Sequence, residues 1–261
     1  MPMKPTITAL TITLNGERTL SQCLDSFSFC DALLVVDSFS SDKTEEIARS
    51  RNAYFIPHAF EGYYQQIRFG IDWLNKNAPT DWIVFVDCDE VCSDELKESI
   101  LAAVQSPEGK TSFSVSRATW YYDRFLRHGD AYPDRLFRIF TPDGIRLDEC
   151  HGHPTYTPVG KSGDLKGDLL HYSDSGFFHH MEKLNVYAQR GAASMRAAGK
   201  KGGIPRALLH STWRFVNEYV IKRGFLDGKA GFLYAMHNAW YTFLKYIRID
   251  EGNWDIPPAK A

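Results

Sequence analysis

Asp81-Trp82-Ile83-Val84-Phe85-Val86-Asp87-Cys88-Asp89-Glu90 is the stretch whose reading decides the fold. Residues 82–86 are uninterrupted apolar, β-branched or aromatic, and too short for a core helix, so they predict a buried strand. Three acids follow within four residues. In extended geometry Asp87 and Asp89 lie on one side with Cys88 facing away, which brings two carboxylates together at a strand end. Like charges that close need a cation, a proton or bulk water. A hard divalent ion meets the need, because Mg²⁺ is held by one or two carboxylates and fills its shell with phosphate oxygens and water. A solvated acidic turn meets it too, since Asp-x-Asp is short enough to recur by chance.

The preceding residues favour a site. Residues 6–14 are rich in β-branched side chains and predict a first strand, followed by a helix with Leu20, Leu24 and Phe27 at helical spacing. Residues 32–36 form a second strand ending at Asp37. In the loop after it Asp42, with Glu45 three residues on, has the pattern of a capping box. Residues 53–56 make a third strand, and residues 63–75 a helix with Ile67, Ile71 and Leu74 on one face. Residues 77–80 break the chain before the acidic stretch, and Ser93 caps the next helix. Strands alternating with helices predict a mostly parallel sheet with right-handed crossovers, whose ligands bind beyond the carboxyl ends of the strands. That edge collects Thr13, Asn15, Asp37, Asp87 and Asp89. Neither G-x-G-x-x-G nor G-x-x-x-x-G-K-[ST] is present, so phosphate would be held through a metal.

The totals fit one large domain or two smaller lobes. The chain has 261 residues, 44% of them hydrophobic, enough for a substantial core. A formal net charge of −2 gives no general attraction to nucleic acid, and no nucleic-acid partner is expected. The five cysteines contain no C-x-x-C pair, and no secretory signal precedes them, which points to reduced thiols in a cytoplasmic compartment.

Thr13-Leu14-Asn15-Gly16-Glu17, then Val35-Val36-Asp37-Ser38 with Ser41-Asp42-Lys43-Thr44, then Asp87-Cys88-Asp89-Glu90 resemble, in order and spacing, a family 2 inverting glycosyltransferase of GT-A fold. Within that family the chain is most similar to bacterial glucosyltransferases that build the lipopolysaccharide or lipooligosaccharide core. The resemblance implies that Thr13 and Asn15 line a nucleotide pocket and that Asp37 accepts a hydrogen bond from uracil. It also implies Asp89 as the main ligand of Mg²⁺ or Mn²⁺, Asp87 at the ribose or the metal, and Gln66 with Arg68 near the donor phosphates. Three positions depart from the family pattern: Leu14 stands where an aromatic or basic residue is frequent, Gly16 where a second acid is frequent, and Cys88, expected to face the core, where a small residue is usual.

Beyond Lys110 the pattern changes. Residues 111–117 and 135–140 read as an antiparallel extension of the sheet, and Trp120-Tyr121-Tyr122 between them suits sugar rings or a half-buried sheet equally. The cluster Asp148-Glu149-Cys150-His151-Gly152-His153 holds ligand types for zinc, but no pair has structural-zinc spacing. An inverting transfer needs a base on the acceptor side. The resembling enzymes carry His-Glu hereabouts where this chain has His151-Gly152, so the base falls to Glu149 or His151, with Asp148 and His153 as the remaining candidates. If the run is extended, Glu149, His151 and His153 share a face, which makes Glu149 the base and His151 its partner. His171 matches a further family position, near the diphosphate or the metal, and reads equally well as a hydrogen-bonded strand histidine.

Residues 177–198 and 207–223 predict helices joined by a flexible basic linker, Gly199 to Gly203. Gly224-Phe225-Leu226-Asp227-Gly228 resembles a C-terminal signature of the same enzymes and leads into an aromatic helix. Basic residues outnumber acids here, which suits an anionic membrane, a homo-oligomer contact or helices packed on the sheet. The sequence thus predicts an α/β GT-A chain with a nucleotide-sugar half over 1–110, an acceptor half over 111–175 and a helical region over 176–261. Its expected partners are a UDP-sugar and a saccharide or lipid-linked acceptor, at the cytoplasmic face of the inner membrane. Transfer to a polyprenyl phosphate, or into capsule or exopolysaccharide, is the alternative among enzymes. An inactive glycan-binding or scaffold protein is the alternative among binders.

Overall fold

Residues 82–86 do form the strand at the centre of the sheet. The computed structural model describes residues 4–150, 153–172 and 177–250. Strands and helices alternate as β1 (Ile7–Thr13), α1 (Leu20–Ser26), β2 (Ala32–Asp37), α2 (Thr44–Ser50), β3 (Tyr54–Pro57), α3 (Tyr63–Asn77) and β4 (Trp82–Asp87). The order β3-β2-β1-β4 is parallel throughout, so successive crossovers lead away from β1 on one side and return on the other. Both faces of these strands are covered, which explains their continuous apolar runs. Ile7, Ala9, Val84 and Val86 pack on Leu96 and Ile100 of α4 (Asp94–Gln105), while Leu10, Ile12, Ile83 and Phe85 pack on Ile67, Ile71 and Leu74 of α3. Ser93 caps α4 by accepting from Leu96 N at 3.3 Å. The capping box before α2 does not form: Asp42 Oδ1 accepts from Thr44 N at 3.0 Å, but Glu45 turns away to Arg49 at 2.7 Å.

The second half extends the sheet. After β5 (Glu90–Cys92) and α4 come β6 (Lys110–Tyr121), β7 (Arg124–Phe125), β8 (Asp134–Phe140), β9 (Ile145–Cys150), β10 (His153–Pro158) and β11 (Lys161–His171). The order continues β4-β8-β6-β11-β5, with β8 antiparallel to β4 and β6, β11 parallel to β6, and β5 antiparallel to β11. β9 and β10 pair antiparallel with Cys150 opposite His153, so the run through residues 148–154 reverses and is not one extended strand.

The chain divides into two compact units, residues 1–119 with 134–172, and residues 120–133 with 173–261. The second holds α5 (Phe177–Ala197), α6 (Ile204–Phe215) and α7 (Gly228–Arg248). The single helix expected over 207–223 begins earlier, with Pro205 in its first turn, and passes at Val216–Ile221 into a π-helical segment. The expected flexible linker is tied down: Gly203 N donates to Tyr246 O at 3.3 Å, and a Cβ at Gly202 would meet that oxygen at 2.4 Å. Asp227 of the Gly-Phe-Leu-Asp-Gly stretch is buried and accepts from the backbone N–H groups of Arg127 at 2.9 Å and His128 at 2.8 Å. That carboxylate fixes the 120–133 loop, a structural role for a residue singled out in the sequence.

Candidate active site

Parallel register places the polar residues. Thr13 lies beside Asp37, and Ile12 lies beside Asp87, so the carboxyl ends of β2, β1 and β4 present Asp37, Thr13 and Asp87 in a row. β1 is where the strand order changes direction, the position at which open α/β sheets bind ligands. The loops beyond are cross-tied. Asn15 has a left-handed φ of 52°, donates its N–H to Ser40 Oγ at 2.7 Å and accepts from Ser41 N at 2.9 Å. Gly16 N donates to Thr44 Oγ1 at 2.8 Å, Glu17 N to Asp42 Oδ2 at 3.0 Å, and Lys43 N to Glu17 Oε2 at 3.1 Å. A Cβ at Gly16 would meet Thr13 Oγ1 at 2.4 Å, which accounts for glycine where the family pattern favours an acid. Asp37 is buried and accepts from Ser40 N at 2.7 Å and from Ser40 Oγ, and a carboxyl group so held keeps further acceptor capacity.

Gln66 and Arg68 are not brought together. Gln66 is fully buried, its Nε2 donating to Ser38 Oγ at 3.1 Å and its Oε1 2.8 Å from His58 Nδ1. Arg68, about 200° further around α3, is exposed and pairs with Asp72 at 3.2 Å.

At the end of β4 the extended geometry expected for the acids is replaced by a turn over Cys88 and Asp89, and the two carboxylates take different partners. Asp87 Oδ2 accepts from Arg138 Nη2 at 2.7 Å, and its N–H donates to Glu90 Oε2 at 3.0 Å. Glu90 Oε1 also lies 3.1 Å from Arg138 Nη2 and 3.5 Å from Arg117 Nη1. Arg138 and Glu90 are almost wholly inaccessible, and the guanidinium stands 4.7 Å over the Phe85 ring. Burial opposes charge on Asp87, but Arg138 outweighs it and holds the carboxyl below the usual range. Burial, with the Asp87 charge beside it, pushes Glu90 up. Asp89 turns the other way: its Oδ2 lies 3.3 Å from His171 Nε2 at the end of β11, both side chains partly open to solvent. His171 Nδ1 stands 3.4 Å from Thr119 Oγ1, and Asp89 O accepts from Tyr172 N at 2.9 Å. Cys88 is half-buried against the Leu20, Leu24 and Val35 cluster, consistent with its expected inward facing.

The acceptor-side candidates are less fully described. Asp148 is exposed and pairs with Arg146 at 2.9 Å. His151 and the side chains of Glu149 and His153 lie outside the described residues. The face expected to hold Glu149, His151 and His153 therefore lies outside the described residues, and the backbone there is fixed by the pairing of Cys150 with His153. Among the described residues, no group of three or more His, Cys, Asp or Glu side chains is gathered for a metal.

Residues 8–157 match the family model described as Glycosyl transferase family 2, more than half of the chain. The chain belongs to that family. This family 2 chain is 26% identical over 265 residues to an uncharacterized glycosyltransferase of Rickettsia bellii, covering 97% of this chain and 89% of that protein. It is 24% identical over 250 residues to the lipopolysaccharide core biosynthesis glycosyltransferase LpsC of Rhizobium meliloti, covering 93% and 91%. Among solved structures, S. aureus TarS 1-349 aligns over 94% of this chain and 82% of its own, at 15% identity and a TM-score of 0.46. Glucosyl-3-phosphoglycerate synthase of Mycobacterium tuberculosis, solved with Mn²⁺, UDP and phosphoglyceric acid, aligns over 44% and 43%, at 22% identity and a TM-score of 0.37. The chain is therefore a glycosyltransferase with the mixed, mainly parallel sheet of the GT-A fold. The site residue not evident from the sequence motifs is Arg138, although a signal was present: it is the one charged residue in the apolar run Leu136-Phe137-Arg138-Ile139-Phe140, where an arginine needs a buried anion.

Proposed function

We propose that this glycosyltransferase moves a sugar, with glucose favoured by the sequence resemblance, from a UDP-sugar to a saccharide on a lipid acceptor in lipopolysaccharide core synthesis, inverting the anomeric centre. The observation that carries the proposal is the gathering of Thr13, Asp37 and Asp87 at adjoining strand ends, with the Asp89–His171 pair beside them. In this reading Thr13, Asn15 and Asp37 meet the nucleoside, while Gln66 acts from behind by fixing the Ser38 loop. Arg68 receives no role, because it points to solvent and to Asp72.

The donor set fits a hard divalent ion. A carboxylate and an imidazole 3.3 Å apart can share one cation and leave positions for diphosphate oxygens and water, whereas a structural zinc site would need more protein ligands. Asp89 and His171 would hold Mg²⁺ or Mn²⁺, with Asp87 reaching the ribose or the metal. When bound, the ion would offset charge building on the leaving UDP. Glu149, partnered by His151, remains the proposed base on the acceptor side. The near full-length similarity to LpsC supports a lipopolysaccharide acceptor and a location at the cytoplasmic face of the inner membrane. No helix among the described residues is long and apolar enough to cross a membrane, which is consistent with peripheral attachment.

A thermal-unfolding screen of UDP-sugars with and without Mn²⁺ tests the donor assignment. A ligand at a hundred times its Kd stabilises by about 2.7 kcal/mol, and the reading expects that shift for one UDP-sugar only when metal is present. Stabilisation by none of them, with or without metal, would overturn it. Stabilisation without hydrolysis of the donor or transfer from it would point to an inactive binding protein.

A further inference from the structure

Helix α6 turns an apolar face outward. Ile204, Leu208, Leu209 and Trp213 are 63%, 54%, 67% and 59% exposed, and Ala207 on the opposite side packs inward. On α7, Phe232, Met236 and Trp240 repeat every four residues and are each more than two-fifths exposed. Side chains of this size leave water only if something covers them, and a soluble monomer rarely shows so many together.

The charges around them say what covers them. Between residues 200 and 232 the acids are Glu218 and Asp227, and both are buried and bonded internally, Glu218 to Asn238 at 2.9 Å and Asp227 to the 120–133 loop. Lys200, Lys201, Arg206, Arg223 and Lys229 are all exposed. The accessible charge of this segment is therefore wholly positive. A second copy of the chain docking by two-fold symmetry would set this basic fringe against itself. An anionic lipid surface would complement it, and apolar side chains with Trp beside Lys and Arg are the composition of a helix lying in the membrane interface.

We infer that α6 docks in the plane of an anionic bilayer, inserting Ile204, Leu208, Leu209 and Trp213 among the acyl chains while the basic residues meet lipid headgroups. The inference deepens the peripheral location proposed above and rests on it, but lipid binding is read without turnover, so its failure would leave the transferase assignment standing.

Flotation of the full chain with vesicles tests it. Recovery should be high with phosphatidylcholine vesicles containing phosphatidylglycerol, low with phosphatidylcholine alone, and should fall as salt screens the charges. Leu209→Gln with Trp213→Gln should lower the bound fraction about tenfold, with unchanged thermal unfolding because both side chains face outward. As a second variant, Lys200→Glu with Lys201→Glu should remove the preference for anionic vesicles. Equal recovery on neutral and anionic vesicles, recovery on neither, or a dimer in sedimentation that the Leu209→Gln and Trp213→Gln changes dissolve would overturn the inference.

Discussion

Removing the charge of Arg138 would leave half-buried Asp87 without its hydrogen-bonded cation and buried Glu90 with Arg117 3.5 Å away as its remaining cation. Loss of one partner from a buried charged network costs about 3–5 kcal/mol, because the remaining charges are uncompensated. Arg138→Met should therefore lower the stability of the sheet unit by that order in urea unfolding, and by less in acid, where protonation of the two carboxyls relieves the repulsion. A loss below about 1 kcal/mol at neutral pH would mean that water reaches the network. Asp89 sits on a turn and is paired with His171 rather than with a buried guanidinium, so Asp89→Asn should leave stability nearly unchanged while abolishing transfer and metal-dependent UDP binding. Near-normal Mn²⁺-dependent affinity for UDP in that variant would remove Asp89 from the metal site. The two acids look equivalent in the sequence. Which of them takes the buried guanidinium is decided by Arg138, 51 residues away along the chain, and no local pattern carries that information.

The elements before Gln105 were legible because their apolar periods match their structures: continuous runs for strands buried on both faces, and spacings of three and four for helices. β11 was hidden for the opposite reason. Lys-Ser-Gly-Asp-Leu-Lys-Gly-Asp-Leu-Leu-His contains a register shift between Asp164 and Asp168 around Gly167, whose φ is +80°. The alternation that would announce a strand is broken there, although its last residue delivers His171 to Asp89. The β9–β10 hairpin is equally hard to read, because Ile145 and Leu147, which bury it on α3, precede a polar cluster with no apolar alternation of its own. The base assignment belongs to this hairpin. Glu149→Gln should reduce transfer by about a hundredfold or more while UDP-sugar affinity stays within a few fold. Normal transfer by both Glu149→Gln and His151→Ala would move the search to Asp148 or His153.

Across the whole molecule, acid and neutral conditions act through different charges in the two units. In the helical unit burial pushes the Glu218 carboxyl above its ordinary value of 4.5, against the opposing pull of Arg214 and Asn238. A group whose folded value is raised lends its full stability below the unfolded value and loses it as pH rises through the folded value. Glu218→Gln, which cannot ionise, should therefore gain stability relative to the unsubstituted chain as pH rises from below 4.5 towards neutrality, read as the difference in Tm between the two proteins. A constant difference across that range would show that Glu218 carries no such linkage. In the sheet unit Asp87 has the opposite sign: its depressed value means that its stabilisation is present near neutrality and disappears in acid.

The cross-tied loops at the ends of β1 and β2 carry a kinetic consequence. Asn15 to Ser40 and Ser41, Gly16 to Thr44, and Glu17 to Asp42 and Lys43 hold the two loops in one arrangement before any nucleotide arrives. Their ordering entropy is spent during folding, so association does not have to wait for them to assemble. In stopped-flow mixing with UDP and Mn²⁺, the observed rate should rise linearly with nucleotide concentration as a single exponential. A rate that levels off would reveal a slow rearrangement before or after encounter. Asn15→Ala, which deletes the acceptor for Ser41, should introduce that plateau into an otherwise one-step process.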